Sequence, residues 1–168
     1  MTDCGDQSIF DSGPLRLLPS AVREPRRAWL AILVGGALSL SGSLLLAWGA
    51  NGIAPALEKP HFSVRGATAL GLLVLFAPLV ETLIMAVVLS LLVRFVSPTI
   101  AVLSSAALWG VFHSLHATAW GLVVWWPFLV FSTLYLVWRE RSTAAAIGVA
   151  TATHALQNLV PGWTVAFG

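Results

Sequence analysis

Charge is what this sequence has least of. Only 10% of its 168 residues are Asp, Glu, Lys or Arg, and 58% are hydrophobic. An average soluble domain carries about a quarter charged residues, so an ordinary water-solvated globule is excluded. The formal net charge of +2 is small and dispersed, which gives no electrostatic footprint for nucleic acid. Cysteine is nearly absent too. Cys4 stands alone in the polar N-terminal stretch, so no intrachain disulfide can form and redox compartment stays undetermined. There is no soluble substrate-recognition domain between the apolar runs.

What remains is a set of long apolar runs separated by the charges. Residues 1–27 are polar, with prolines at 14, 19 and 25, and read as a flexible cytoplasmic tail with a short surface turn around Leu15 to Leu18. The run Ala28 to Ala50 is too long for a cleaved signal core and suits a membrane span. Trp29 and Trp48 would reach opposite interfaces, about 28 Å apart on a helix. Asn51-Gly52 and Pro55 end this span, and 54–65 is a polar connection. A second span falls within Gly66 to Val93. Ser97-Pro98 reads as N-cap and first residue of a third, ending near Ala117. A fourth runs Ala119 to Trp138, and a fifth runs Thr143 to Val160, stopped by Pro161-Gly162. The expected fold is all-α, a polytopic membrane helix bundle of about five transmembrane helices. Residues 28–50 form an additional span beside a four-helix core at 66–162.

Arginines orient the bundle. With the N-terminus inside, the inner segments hold Arg16, Arg23, Arg26, Arg27, Arg94, Arg139 and Arg141, and the outer ones hold Lys59 and Arg65. The tail is thus expected on the cytoplasmic side of a cell membrane. Small-residue stripes suit close helix approach: Gly35, Ser39 and Ser43; Ala106, Gly110 and Ser114; Ala144, Gly148 and Ala152. All three are read as packing surfaces.

Against this background one carboxylate stands out. Glu81 is the sole charge between Gly66 and Val93. Ionisable groups in hydrocarbon cost several kcal/mol each and rarely occur there without a task. His113 and His154 lie on two later spans, with Asn158 one turn after His154. Alternating helix direction lets all four converge in one layer. Pro78, three residues before Glu81, frees the carbonyl of Val74 in an α-helix, and a kink beside a carboxylate can open a polar cavity. Glu81 suits a general base, and His154 with Asn158 offers two donors for an oxyanion. Each residue also has a plain structural reading, as a hydrogen-bonded link between helices. His116 is expected at the wet interface, and Gln157 is assigned to packing or interfacial solvation.

These residues form three short motifs: Glu81 in Ala77-Pro78-Leu79-Val80-Glu81-Thr82-Leu83-Ile84-Met85-Ala86, then Trp109-Gly110-Val111-Phe112-His113, then His154-Ala155-Leu156-Gln157-Asn158. Their order and spacing resemble the CAAX protease and bacteriocin-processing family of intramembrane endopeptidases, the type II CAAX prenyl protease-like proteins. That family reads Glu-Glu-x-x-x-Arg, Phe-x-x-x-His and His-x-x-x-Asn/Asp on successive spans. The resemblance covers roughly 66–162. It implies that Glu81 deprotonates water, His113 positions it, and His154 and Asn158 stabilise the oxyanion. Substrates would be membrane-anchored peptides or proteins, isoprenylated in the eukaryotic branch, entering from the lipid bilayer. The resemblance names no cofactor. Glu81, His113 and His154 also make a donor set of the kind that binds a divalent metal such as zinc. Three departures stand: Trp109 replaces Phe, Thr82 the second Glu, and Ala86 the Arg. Losing the last two together avoids stranding a buried charge. A catalytically silent membrane scaffold or bacteriocin-immunity-type protein, and a small transporter or proton relay, are the alternatives the residues leave open.

Overall fold

A computed structural model describes residues 9–168; Cys4 lies outside the described residues. The described residues form helices and their connections, with no strand among them. A 3-10 turn at Pro14–Leu17 and a short α1 (Ser20–Arg23) precede five long elements. These are α2 (Ala28–Ile53), a composite of α3 (Gly66–Gly71), a π turn (Leu72–Phe76) and α4 (Ala77–Leu92), then α5 (Pro98–Ser114), α6 (Thr118–Arg139) and α7 (Thr143–Phe167). Three of them are long and apolar enough to cross a membrane: Ala28–Ile53, Gly66–Leu92 and Thr118–Arg139. At 17 residues α5 is short, and α7 carries Thr, His, Gln and Asn along its length.

Helix starts follow the sequence closely. Ser97 caps α5 by accepting from the Ile100 N–H, with Pro98 at the first position. Ser142 does the same for α7 through Ala145, which satisfies a donor that the first turn would otherwise leave orphaned. Gly66 opens α3 with φ of 65°, a left-handed conformation natural to glycine.

The centre of the bundle is α6. Every residue from Pro127 to Trp138 is buried, because α2, α4, α5 and α7 all pack against it. Two buried hydroxyls of this stretch are paired: Ser132 donates to Ser105 at 3.0 Å, and Thr133 to the Leu129 carbonyl at 2.8 Å. Small residues admit the neighbours. A Cβ at Gly121 would overlap Ser114 Oγ and the Gly110 carbonyl, and one at Gly42 would overlap the Trp126 ring. Trp126 then reaches the Leu38 carbonyl at 3.0 Å.

Four sequence expectations need correction. Residues 9–27 are not a free tail. Phe10 and Val22 are fully buried, and Leu15 and Leu18 nearly so, because this segment lays its apolar residues across the end of the bundle where α2 begins and α6 ends, with α1 packed on both. Arg23 anchors it through Asp11 at 2.6 Å and the Leu18 carbonyl at 2.8 Å. Second, Pro161-Gly162 does not end α7, which continues to Phe167. Gly162 is needed there for close approach, since a Cβ would lie 2.8 Å from Val74, and Arg65 secures the last turn by donating to the Val165 carbonyl at 2.8 Å. Third, the stripe Ala144, Gly148, Ala152 is not a continuous packing surface: Ala144 and Gly148 are exposed, and a Cβ at Gly148 would meet open space. The face of α7 that is buried holds Ala146, Val149, Ala150 and Thr153 instead. Fourth, Pro78 follows a π turn rather than an unbroken α-helix, and the carbonyl there that a side chain meets is that of Leu73.

Candidate active site

Glu81, His113, His154 and Asn158 all line one cavity of about 450 Å³, walled by α2, α4, α6 and α7 with His113 at the end of α5. The remaining wall is mostly apolar, including Leu40, Leu44, Val124 and Phe131. Three of the helices around it carry a proline: Pro78 in the first turn of α4, Pro127 inside α6 and Pro161 inside α7. Irregular backbone at membrane depth is tolerated where it borders such a cavity. The polar connection 54–65 lies over one end. Pro60 and Phe62 join the lining, Phe62 meets Trp120 edge-on at 5.6 Å, and the Glu58 carbonyl accepts from the Ala119 N–H at 3.0 Å.

The closest titratable pair is Glu81 and His154. His154 Nε2 stands 3.7 Å from Glu81 Oε2, with the histidine side chain 5% and the glutamate 25% exposed. That separation is past a direct hydrogen bond. The carboxylate therefore keeps an open side toward the cavity while the imidazole is sealed behind it. Phe131 stacks on His154 at 4.5 Å and 23°, and Phe128 meets its edge at 5.4 Å. The rings fix the imidazole plane. Its Nδ1 is buried without a partner, so a proton on Nε2, facing the carboxylate, avoids burying an orphan N–H.

His113 is held differently. Its Nδ1 lies 2.9 Å from the Trp109 carbonyl. A carbonyl only accepts, so Nδ1 carries the proton and Nε2 is left as an acceptor. Trp120 crosses the ring at 4.6 Å, and Trp109 stacks on Phe128 at 4.3 Å. Trp109, in place of the motif's phenylalanine, thus supplies both the carbonyl that orients His113 and part of the aromatic wall.

Asn158 lines the cavity with one of its amide N–H groups already committed. Its Nδ2 donates to the Leu73 carbonyl at 2.9 Å. Gln157, assigned from sequence to packing or interfacial solvation, is buried and lines the cavity. The proline inside α7 was the available clue, because a helix that runs on past Pro161 keeps both 157 and 158 well inside the bundle. His116 is exposed, as expected for an interfacial residue.

Thr82 and Ala86, at the positions of the motif's second Glu and its Arg, face the bundle interior. Thr82 is fully buried and Ala86 nearly so, and neither lines the cavity. No group of three or more His, Cys, Asp or Glu side chains among the described residues is arranged to hold a metal ion. The Glu81–His113–His154 donor set does not fit one as placed.

No protein-family model, characterised protein or solved structure matches this chain.

Proposed function

We propose that this protein is an intramembrane endopeptidase that hydrolyses peptide bonds of membrane-anchored substrates with water activated by Glu81. The observation that carries this reading is the Glu81–His154 approach of 3.7 Å at the wall of a partly open, largely apolar cavity. The order of the three motifs supports it as well. In this reading α5 and α7 complete a five-span bundle, with the N-terminus on the cytoplasmic side of the cell membrane.

The chemistry rests on the donors and acceptors of the wall. Water enters beside Glu81 and gives its proton to the carboxylate as its oxygen bonds to the scissile carbonyl carbon. His113 Nε2 accepts a hydrogen bond from that water and orients it. His154 Nε2–H faces the site from the other side and steadies the charge on Glu81. The carbonyl oxygen gains negative charge in the tetrahedral intermediate, and the Gln157 amide is the buried donor available to it. Glu81 then passes the proton to the leaving nitrogen as the C–N bond breaks, yielding a carboxylic acid and an amine. The apolar walls exclude bulk water, which strengthens each of these interactions. No step is assigned to a metal.

A second reading is favoured by one specific feature, the commitment of Asn158 to the Leu73 carbonyl together with Thr82 and Ala86 in the first motif. It makes the chain a catalytically silent membrane scaffold or immunity-type protein. Purification in detergent and a screen of membrane-anchored peptides separates the two. The peptidase reading requires cleavage that Glu81→Gln abolishes with folding intact; a silent scaffold requires a cellular phenotype that Glu81→Gln leaves unchanged.

A further inference from the structure

The π turn is fastened by a residue from another helix. At the end of the turn the Ala77 N–H donates to the Leu72 carbonyl, five residues back. The next carbonyl in that register, Leu73, would receive the N–H of residue 78, which is Pro78 and has none. Leu73 is left without that donor, and Asn158 Nδ2 meets its carbonyl at 2.9 Å. A neighbouring helix re-satisfies a backbone group that lipid could not.

The register of the turn sets the direction of Glu81. Leu73, Ala77 and Glu81 all line the cavity, in steps of four residues. In an unbroken α-helix each such step overshoots a full turn by about 40°, so Glu81 would drift off the face that Leu73 presents. The widened turn absorbs that drift. Loss of the extra residue in the turn would rotate Glu81 by about 100°. Gly162 lets α7 come close enough, since a Cβ there would lie 2.8 Å from Val74 inside the π turn.

We propose that Asn158 is a positioning residue: its amide replaces the N–H that Pro78 lacks and so holds the π turn in the register that aims Glu81 at the cavity. The inference rests on the peptidase reading only where cleavage is the readout. Asn158 does not act on the substrate, and the oxyanion donor is sought elsewhere on the wall.

The test is a two-by-two set in the full-length protein: the parent, Asn158→Leu, Pro78→Ala and the double variant. Leucine keeps the side-chain volume and removes the donor; alanine at 78 restores an N–H within the helix. Each protein is read by its thermal midpoint in detergent and by turnover of a fluorogenic membrane-anchored peptide. With Pro78 present, Asn158→Leu lowers the midpoint by about 3 °C and turnover by at least roughly tenfold. In the Pro78→Ala background the same substitution shifts the midpoint by less than about 1 °C and turnover by less than about threefold. Equal losses in both backgrounds overturn the proposal, because an oxyanion donor gains nothing from a backbone N–H at position 78. Should no variant, nor the parent, cleave anything, the peptidase reading fails and the midpoints alone still decide this one. Recovery of a folded double variant from an unfolded Asn158→Leu supports it; failure of both, or of Pro78→Ala alone, to fold counts against it.

Discussion

His154 Nε2 and Glu81 Oε2 face each other at 3.7 Å across the α4–α7 interface, with Phe131 of α6 stacked on the imidazole. The two residues are 73 positions apart in the chain, and the fold uses buried aromatic surface to keep them together. Groups that act as a unit are strongly non-additive when removed singly and jointly. We expect Glu81→Gln and His154→Ala each to lower turnover by about 10²-fold or more, and the double variant to be no worse than the poorer single one. Multiplying losses, measured as kcat/KM on one peptide, would show that the pair does not act together.

Gln157 provides a second expectation. Its side chain is buried in the cavity wall, where removal of an oxyanion donor costs about 10²–10³ in kcat. Gln157→Leu conserves bulk, so turnover is expected to fall by that order while the unfolding midpoint moves little. A large loss of stability with unchanged turnover per folded molecule would return Gln157 to a packing role.

Two glycines separate packing surfaces from open ones. Gly121→Ala forces a methyl into Ser114 and the Gly110 carbonyl, and backbone cannot yield as a flexible side chain can. Overpacking of this kind costs about 1–3 kcal/mol. Gly148→Ala meets nothing within 4 Å and gains up to about 1 kcal/mol of helix propensity. Thermal unfolding in detergent should therefore move in opposite directions for the two.

The N-terminal segment is a structural part of the bundle. Phe10 is fully buried against it, and Phe→Ala in a core costs about 3–5 kcal/mol. Phe10→Ala should lower the midpoint markedly, whereas Leu17→Ala, at a residue 82% exposed, should not. Equal effects would mean that residues 9–27 do not pack as described.

Much of this could be read from the chain, for identifiable reasons. Apolar runs bounded by Ser97-Pro98 and Arg139 to Arg141 fix helix ends because caps and charges are local signals. The gathering of Glu81, His113 and His154 followed from the cost of ionisable groups in lipid and from alternating helix direction. Three things were hidden. Phe10, Leu15, Leu18 and Val22 sit among prolines and charges, and only tertiary contact makes them core. The small stripes on α2 and α7 look alike in sequence, and which one meets a neighbour depends on helix rotation. Asn158 reaches the Leu73 carbonyl of the π turn and Gln157 is buried in the cavity wall, and no residue pattern announces a π register beyond the presence of Pro78.

The central claim is that Glu81 activates water for peptide hydrolysis within the bundle. The most direct measurement is cleavage of a membrane-anchored peptide by the purified protein and by Glu81→Gln, matched for folding by their unfolding midpoints. Turnover by the parent and none detectable in the variant is the expected result. Equal turnover in both, or cleavage by neither across a broad panel of anchored peptides, would contradict it.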